Sequence, residues 1–176
     1  MKELETRIIN INPDLIRKKM QEIKAEKVKS ENQINKIFDF PNKKLFSNKG
    51  YARIRIIEDL LQNRSLYYMT TKKLLSQEKY KIMEEHEILI DSADEGEKIF
   101  QSLGLEMYES ISKYRESYQY KNTLIEIDIN DINFYPYPYI EIESKDEEEA
   151  QEVIELLGYS MDDTTSKTIY ELKAEL

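Results

Sequence analysis

Pairs of like charges, separated by one residue, recur along this sequence. The acidic pairs are Glu3/Glu5, Glu85/Glu87, Glu126/Asp128 and Glu141/Glu143, and the basic pairs are Arg53/Arg55 and Lys113/Arg115. In a β-strand, residues i and i+2 point to the same face, so each pair would present two like charges side by side. Carboxylates supply the oxygen ligands that hard divalent cations prefer, while arginine and lysine bind phosphate oxygens. The spacing therefore indicates a site for a polyanion together with a divalent cation.

Isoleucines occupy the positions between these charges. Ile54 and Ile56 flank Arg55, and Ile140 and Ile142 alternate with Glu141. An ordinary sheet would bury such an apolar face and leave the charges in solvent. Here the sequence also contains amphipathic helices that need an apolar surface to cover, and most charged rows carry one sign only. We therefore expect the apolar faces to point outward, under the helices, and the charged faces to line an interior.

The elements that must position these residues are strands and helices in a definite order. Period-two alternation predicts strands at 2–10, 33–40, 51–58, 65–73, 80–91, 107–120, 123–131 and 138–145, and helical spacing predicts helices at 13–28, 94–103, 146–157 and 165–175. Eight strands are the smallest common number that closes with room inside for side chains or a small ligand. The prediction is an α+β fold, an antiparallel eight-stranded β-barrel with helices packed on the outside.

Composition limits the class of protein. The chain has 176 residues, no cysteine and a net charge of −9, with 35% charged and 40% hydrophobic residues. We expect a single domain over 1–176, with neither disulfides nor thiolate metal ligands. The negative charge argues against a nucleic-acid partner, and no apolar run is long enough to cross a membrane. The N-terminus lacks the apolar stretch of a secretory signal, so we expect a cytoplasmic location. The oligomeric state is expected to be a monomer or a homodimer.

Several short motifs in their order along the chain resemble those of CYTH domains, the triphosphate tunnel metalloenzymes. Glu3-Leu-Glu5-Thr-Arg7 resembles the N-terminal ExExK signature of that family. The other matching segments are Ile37-Phe38-Asp39-Phe40-Pro41, Arg53-Ile54-Arg55, Thr70-Thr71-Lys72, Glu85-His86-Glu87, Lys113-Tyr114-Arg115, Asp128, Glu141-Ile142-Glu143 and the C-terminal Lys167-Thr168-Ile169-Tyr170-Glu171-Leu172. The resemblance runs through nearly the whole chain.

The resemblance implies a role for each matched residue. The phosphate-binding residues would be Arg7, Arg53, Arg55, Lys72, Lys113, Arg115 and Lys167, and the metal ligands would be Glu3, Glu5, Asp128, Glu141 and Glu143. The catalytic residues would be Glu5, Arg7, Lys72 and Arg115. The implied cofactor is Mg²⁺ or Mn²⁺, and the implied partner is a nucleoside triphosphate or another organic triphosphate.

Two reactions of the family fit this set of residues. The branch of class IV adenylyl cyclases, which convert ATP to 3′,5′-cyclic AMP and pyrophosphate, is the favoured reading. Arg7 stands where the family usually has a lysine, and an arginine does not readily lose its proton to serve as a base for water. The alternative is a thiamine triphosphatase or inorganic tripolyphosphatase. A module that binds a polyphosphate or nucleotide without turnover is a third possibility. The chain has no tryptophan, so stacking on a base or thiazole would fall to Phe or Tyr.

Overall fold

The computed structural model describes residues 2–176, and their side chains from Leu4 onward. Its eight strands are β1 (Lys2–Ile9), β2 (Glu26–Asp39), β3 (Tyr51–Asp59), β4 (Arg64–Gln77), β5 (Lys81–Ile90), β6 (Glu106–Tyr120), β7 (Thr123–Asn130) and β8 (Tyr139–Ser144). They close into a barrel in the order β1-β5-β4-β3-β2-β6-β7-β8, and every neighbouring pair is antiparallel. The predicted closed antiparallel barrel of eight strands is confirmed.

The described part of the chain also forms four helices, α1 (Pro13–Glu22), α2 (Ala93–Ser102), α3 (Glu147–Leu156) and the short α4 (Ile169–Lys173), with 3₁₀ turns at Phe46–Asn48 and Met161–Asp163. The first three begin at capping residues, Asn12, Ser92 and Asp146, whose side chains accept backbone N–H groups of the first turn. Within residues 2–176 no helix is long and apolar enough to cross a membrane.

The boundary between α1 and β2 differs from the prediction. The helix ends at Glu22 instead of 28, and the strand begins at Glu26 instead of 33. Lys24 adopts a left-handed conformation (φ 57°), and the N–H of Ala25 donates to the carbonyl of Met20, which closes the helix. The next residues join β6 in a long antiparallel ladder. Residues 26–28, which local spacing predicted to be helical, therefore belong to β2 because they pair with β6.

The apolar core lies outside the barrel, between the strands and the helices. Its buried members include Ile125, Ile127, Ile140 and Ile142 from the barrel, Ile16 and Met20 from α1, and Val153 and Ile154 from α3. On the other side α2 packs Phe100 against Phe38 and Ile54. Each buried isoleucine contributes about 1.5–3 kcal/mol to stability. The isoleucine faces thus point outward and the charged faces point inward.

The C-terminal residues 165–176, here called the strap, cross one end of the barrel. Arg7 and Thr165 exchange backbone hydrogen bonds of 2.9 and 2.8 Å, which adds the start of the strap to β1. The side chain of Gln77 donates to the carbonyl of Ser166 and to the carboxylate of Glu171. These contacts hold α4 over the end of the barrel.

Candidate active site

One cavity of about 420 Å³ occupies the barrel and is called the lumen here. Its charged lining consists of Arg7, Lys29, Arg53, Arg55, Lys72, Lys113 and Arg115 and of Glu85, Glu87, Glu126, Glu141 and Glu143. Six of the seven expected phosphate-binding residues therefore face one space, and they come from β1, β3, β4 and β6. Strand alternation explains this convergence. Residues two apart lie on the same face of a strand, and cross-strand partners, such as Arg53 with Thr70 and Arg115 with Asp128, lie on the same face of the sheet.

Asp128 holds two of the lumenal cations in place. Its carboxylate accepts hydrogen bonds from Nε and Nη2 of Arg115, both at 2.6 Å, and from Nζ of Lys113 at 2.7 Å. The carboxylate is fully buried. Burial alone would raise the pKa of Asp128, but Arg115 and Lys113 outweigh it and lower the pKa. The oxygens of Asp128 are thus engaged by cations, and its expected role as a metal ligand stays a prediction.

Arg7 is fixed by several partners. Its Nη2 pairs with Glu141 and lies 2.8 Å from Glu5, and its Nη1 donates to the carbonyl of Lys167 at 2.6 Å. Burial alone would lower the pKa of Arg7, but Glu141 and Glu5 raise it above the usual range for arginine. The guanidinium is therefore a permanent cation that joins β1, β8 and the strap.

Arg55 is the lumenal arginine whose positive charge is least neutralised by nearby carboxylates. Its Nε donates to Asn35 at 2.9 Å, and within residues 4–176 its guanidinium has no carboxylate as an ion-pair partner. Burial lowers the pKa of Arg55, and the neighbouring Arg53 and Arg115 lower it further. The buried Nε groups of Arg7 and Arg53 also find no acceptor among the described residues. This arrangement favours an anion between these arginines.

Among the described side chains, three carboxylates converge at one place in the lumen. Glu126, Glu141 and Glu143 each offer an oxygen within 4.8 Å of the others. Burial and repulsion from Glu126 raise the pKa of Glu143 to about 8. Glu141 also contacts Arg7 and Arg115, and Glu126 contacts Arg115, so a cation would compete with these ion pairs. Three convergent oxygens are nevertheless the ligand set that a hard divalent cation prefers. Glu126 was not among the expected ligands, although its Cα partner in the ladder is Glu141 and its alternation with isoleucine was visible in the sequence.

Glu5 lies beside this cluster but is bound to cations. Its register partner on β8 is Glu143, while its carboxylate contacts Lys81, Lys72 and Arg7. Burial would raise the pKa of Glu5, yet Lys72 and Lys81 lower it to about 2. The sequence reasoning missed Lys81. The sequence could have indicated it, because Lys81 lies on β5 at an even number of residues from Glu85 and Glu87 and so shares their face of the strand.

Two of the expected site residues remain apart from this geometry. The side chain of Glu3 lies outside the described residues. Lys167 is 48% exposed, and its ammonium pairs with Glu175, so its contribution to the site is the backbone carbonyl that Arg7 binds. Its phosphate-binding role stays a prediction.

A second cavity, here called the strap pocket, lies under the strap and has a volume of about 290 Å³. It shares Arg7, Tyr51, Lys72 and Ile169 with the lumen. Its apolar lining consists of Phe46, Tyr51, Met83, Ile169, Tyr170 and Ala174. The rings of Phe46 and Tyr170 meet edge to face at 5.2 Å, so the pocket has ordered aromatic walls. The site thus combines a charged tunnel with an adjoining aromatic chamber.

The fold and the site together define a closed barrel whose lumen brings four arginines, of which Arg55 lacks a carboxylate partner among residues 4–176, close to three convergent carboxylates. The CYTH domain family matches residues 1–169, and the chain belongs to this family. The resemblance noted in the sequence motifs is thereby confirmed.

Solved structures with the same fold cover almost the whole chain. PH1012 of Pyrococcus horikoshii superposes with a TM-score of 0.78 at 22% identity, over 97% of this chain and 98% of its own. A candidate adenylate cyclase of Vibrio parahaemolyticus has a TM-score of 0.77 at 16% identity, over 99% and 98%. A candidate adenylyl cyclase of Hippeastrum, whose dominant activity is that of a triphosphatase, has a TM-score of 0.71 at 16% identity, over 99% and 95%. No curated protein matches the sequence.

Proposed function

We propose that this protein is a metal-dependent enzyme that processes an organic triphosphate inside the lumen. The observation that carries the proposal is Arg55, a lumenal guanidinium without a carboxylate partner among the described residues and with Arg53 and Arg115 beside it. Neighbouring like charges repel one another strongly in a poorly solvated space. A triphosphate would remove this repulsion, and each arginine offers it paired donors.

The basic residues would bind the phosphate chain along the lumen. Arg53, Arg55 and Lys113 come from two different strands, so they would contact different phosphate oxygens. Arg7 and Arg115 are held by carboxylates and would act as oriented cations with little reorganisation. Phosphoryl chemistry depends mostly on such positioning and charge neutralisation.

Mg²⁺ or Mn²⁺ would be held by Glu126, Glu141 and Glu143, with Glu3 and Glu5 as further expected ligands. When bound, the cation supplies neutralisation of phosphate charge and polarisation of the phosphorus–oxygen bonds. Asp128 would act on the arginine side of the site, because Arg115 and Lys113 bind its oxygens and it is not one of the three converging carboxylates.

The favoured reaction is that of an adenylyl cyclase. The ribose 3′-oxygen of ATP would bond to the α-phosphorus, the bond from that phosphorus to the bridging oxygen of the β-phosphate would break, and pyrophosphate would leave while the 3′-hydroxyl proton passes to solvent. The nucleophile belongs to the substrate, so this reaction does not require a base for water at position 7. The aromatic strap pocket offers room for the base of the nucleotide.

Hydrolysis of the terminal phosphate is the second candidate. The lumen extends beyond Arg7 to Arg55 and Lys29 and could hold a complete triphosphate chain without the strap pocket. Thiamine triphosphate or inorganic tripolyphosphate would then be cleaved to orthophosphate and the corresponding diphosphate.

Product analysis separates these candidates. Purified protein is incubated with Mg²⁺ or Mn²⁺ and ATP, thiamine triphosphate or tripolyphosphate. A cyclase gives cyclic AMP and pyrophosphate in equal amounts, and 3′-deoxy-ATP binds but stays intact. A hydrolase releases orthophosphate from 3′-deoxy-ATP as well. Binding without any product from all three substrates would support the non-catalytic module and contradict both enzyme proposals.

The remaining expectations stay predictions of the sequence. They are a single domain over 1–176, a cytoplasmic location, a monomer or homodimer, and no nucleic-acid or membrane partner.

A further inference from the structure

Lys81 is a buried lysine in the wall of the strap pocket. It is the first residue of β5, stands opposite Glu5 in the ladder and is 2% exposed. Its ammonium pairs with the carboxylate of Glu5. Burying an ammonium is unfavourable unless its charge is matched. The charge of Lys81 is therefore neutralised by Glu5, and the other partners of Glu5 decide how completely.

Three cations share that one carboxylate. Nη2 of Arg7 lies 2.8 Å and Nζ of Lys72 lies 3.5 Å from oxygens of Glu5. Arg7 and Lys72 each have a second carboxylate partner, whereas Lys81 has none among residues 4–176. A further anion arriving at this place would therefore gain most from Lys81.

The lumen and the strap pocket differ in the cations that reach them. Arg7 and Lys72 line both cavities, Arg55 lines the lumen, and Lys81 lines the strap pocket. A ligand that fills the lumen alone meets Arg7 and Lys72 but not Lys81. A ligand that continues from the lumen into the strap pocket meets all three.

The rest of the strap pocket suits the organic end of such a ligand. Phe46, Tyr51 and Tyr170 offer ring surfaces, and Met83 offers a flexible thioether. Aromatic walls favour a planar ring, and the cations beside them favour a phosphate attached to it. Inorganic tripolyphosphate has no group for these walls.

We propose that Lys81 binds the phosphate that carries the organic group and thereby selects organic triphosphates over inorganic tripolyphosphate. The inference rests on the proposed function, since that function places the phosphate chain in the lumen. Lys81 takes no part in bond making here. It exchanges its ion pair with Glu5 for one with the substrate.

Calorimetric titration of the full chain with ATP and with inorganic tripolyphosphate tests the proposal, with chelator present so that no turnover occurs. In Lys81→Met the affinity for ATP is expected to fall about 10-fold or more, because one charge-assisted contact is lost. The affinity for tripolyphosphate is expected to change less than about threefold, because this ligand stays in the lumen. Arg55→Met is the matched control in the lumen, and it should weaken both ligands.

Lys81→Arg keeps the charge and should retain most of the ATP affinity. If Lys81→Met does not fold, Lys81→Gln provides the same comparison. Equal losses for the two ligands, or unchanged ATP affinity, would overturn the assignment of Lys81. If the wild-type protein binds neither ligand with chelator, and also fails to bind 3′-deoxy-ATP in the presence of Mn²⁺, the proposed function itself is contradicted and the inference falls with it.

Discussion

Arg115 and Asp128 face each other on adjacent strands and form two parallel hydrogen bonds of 2.6 Å, from Nε and Nη2 to the two carboxylate oxygens. Such a paired contact sets the plane of the guanidinium as well as its position. Nη2 also reaches Glu141 at 2.9 Å, which links this pair to the carboxylate cluster. Asp128 thus orients a cation of the lumen.

Asp128→Asn should show whether the carboxylate of Asp128 orients Arg115, because asparagine has nearly the same volume. Asparagine keeps the volume but supplies a single neutral acceptor, so Arg115 and Lys113 lose their common anchor. We expect kcat/KM per folded molecule to fall about 10- to 100-fold, together with a lower melting temperature. Asp131→Asn, at an exposed aspartate just beyond β7, is the control and should behave as wild type. Full activity of Asp128→Asn would mean that other groups orient Arg115.

Arg55→Met should change stability and affinity in opposite directions. Removing a poorly compensated cation relieves repulsion from Arg53 and Arg115, so the ligand-free protein should melt at a higher temperature. Affinity for a triphosphate should fall about 10- to 100-fold, because a charge-assisted contact is lost. Thermal unfolding and calorimetry measure the two effects. Arg64→Met, at a half-exposed arginine that pairs with Asp59 at the start of β4, serves as the control.

Glu143→Gln should remove the response of the protein to a divalent cation. In the wild type, Mn²⁺ is expected to raise the melting temperature, because a ligand that binds only the folded state stabilises it. The glutamine variant loses one of three converging carboxylates and should show a much smaller rise at the same Mn²⁺ concentration. Glu148→Gln, on the exposed face of α3, should keep the wild-type response. An undiminished rise in Glu143→Gln would place the cation elsewhere.

Glu116 should make the stability of the barrel depend on acid pH. This 4% exposed carboxylate on the outer wall accepts hydrogen bonds from Arg17, Lys27, Tyr114 and Tyr118. Burial would raise its pKa, but Arg17 and Tyr114 lead the contacts that lower it from 4.5 to about 2. The folded pKa is depressed, so the stabilisation is present above pH 4.5 and is lost as pH falls toward 2.

Glu116→Gln should therefore be less stable than wild type at neutral pH, by about 1–3 kcal/mol. The difference should shrink as pH falls from 4.5 toward 2, which chemical denaturation at a series of pH values would reveal. Glu26→Gln, at the exposed start of β2, is the control. A difference that does not vary with pH would assign the effect to packing instead of charge.

Local patterns in the sequence were sufficient to predict which residues share a face and which elements carry them. Arg53 and Arg55 alternate with isoleucine, and alternation is a local property of an extended chain. The sequence therefore predicts which side chains share a face of the strand. The predicted amphipathic helices need an apolar surface to pack against, which indicated that they cover the isoleucine face of the sheet. The charged face was therefore expected to line the interior. The closed antiparallel barrel followed from these two facts and from the number of strands.

The pairing of the charges could not be predicted from these local patterns, because it depends on the folded barrel. Asp128 and Glu126 lie on the same face of β7, yet the register with β6 and β8 gives Asp128 to Arg115 and brings Glu126 to Glu141. Lys81 meets Glu5 across a ladder between strands far apart in sequence. Strand order and register depend on contacts along the whole chain, and a shift of two residues would exchange these partners while leaving every face unchanged.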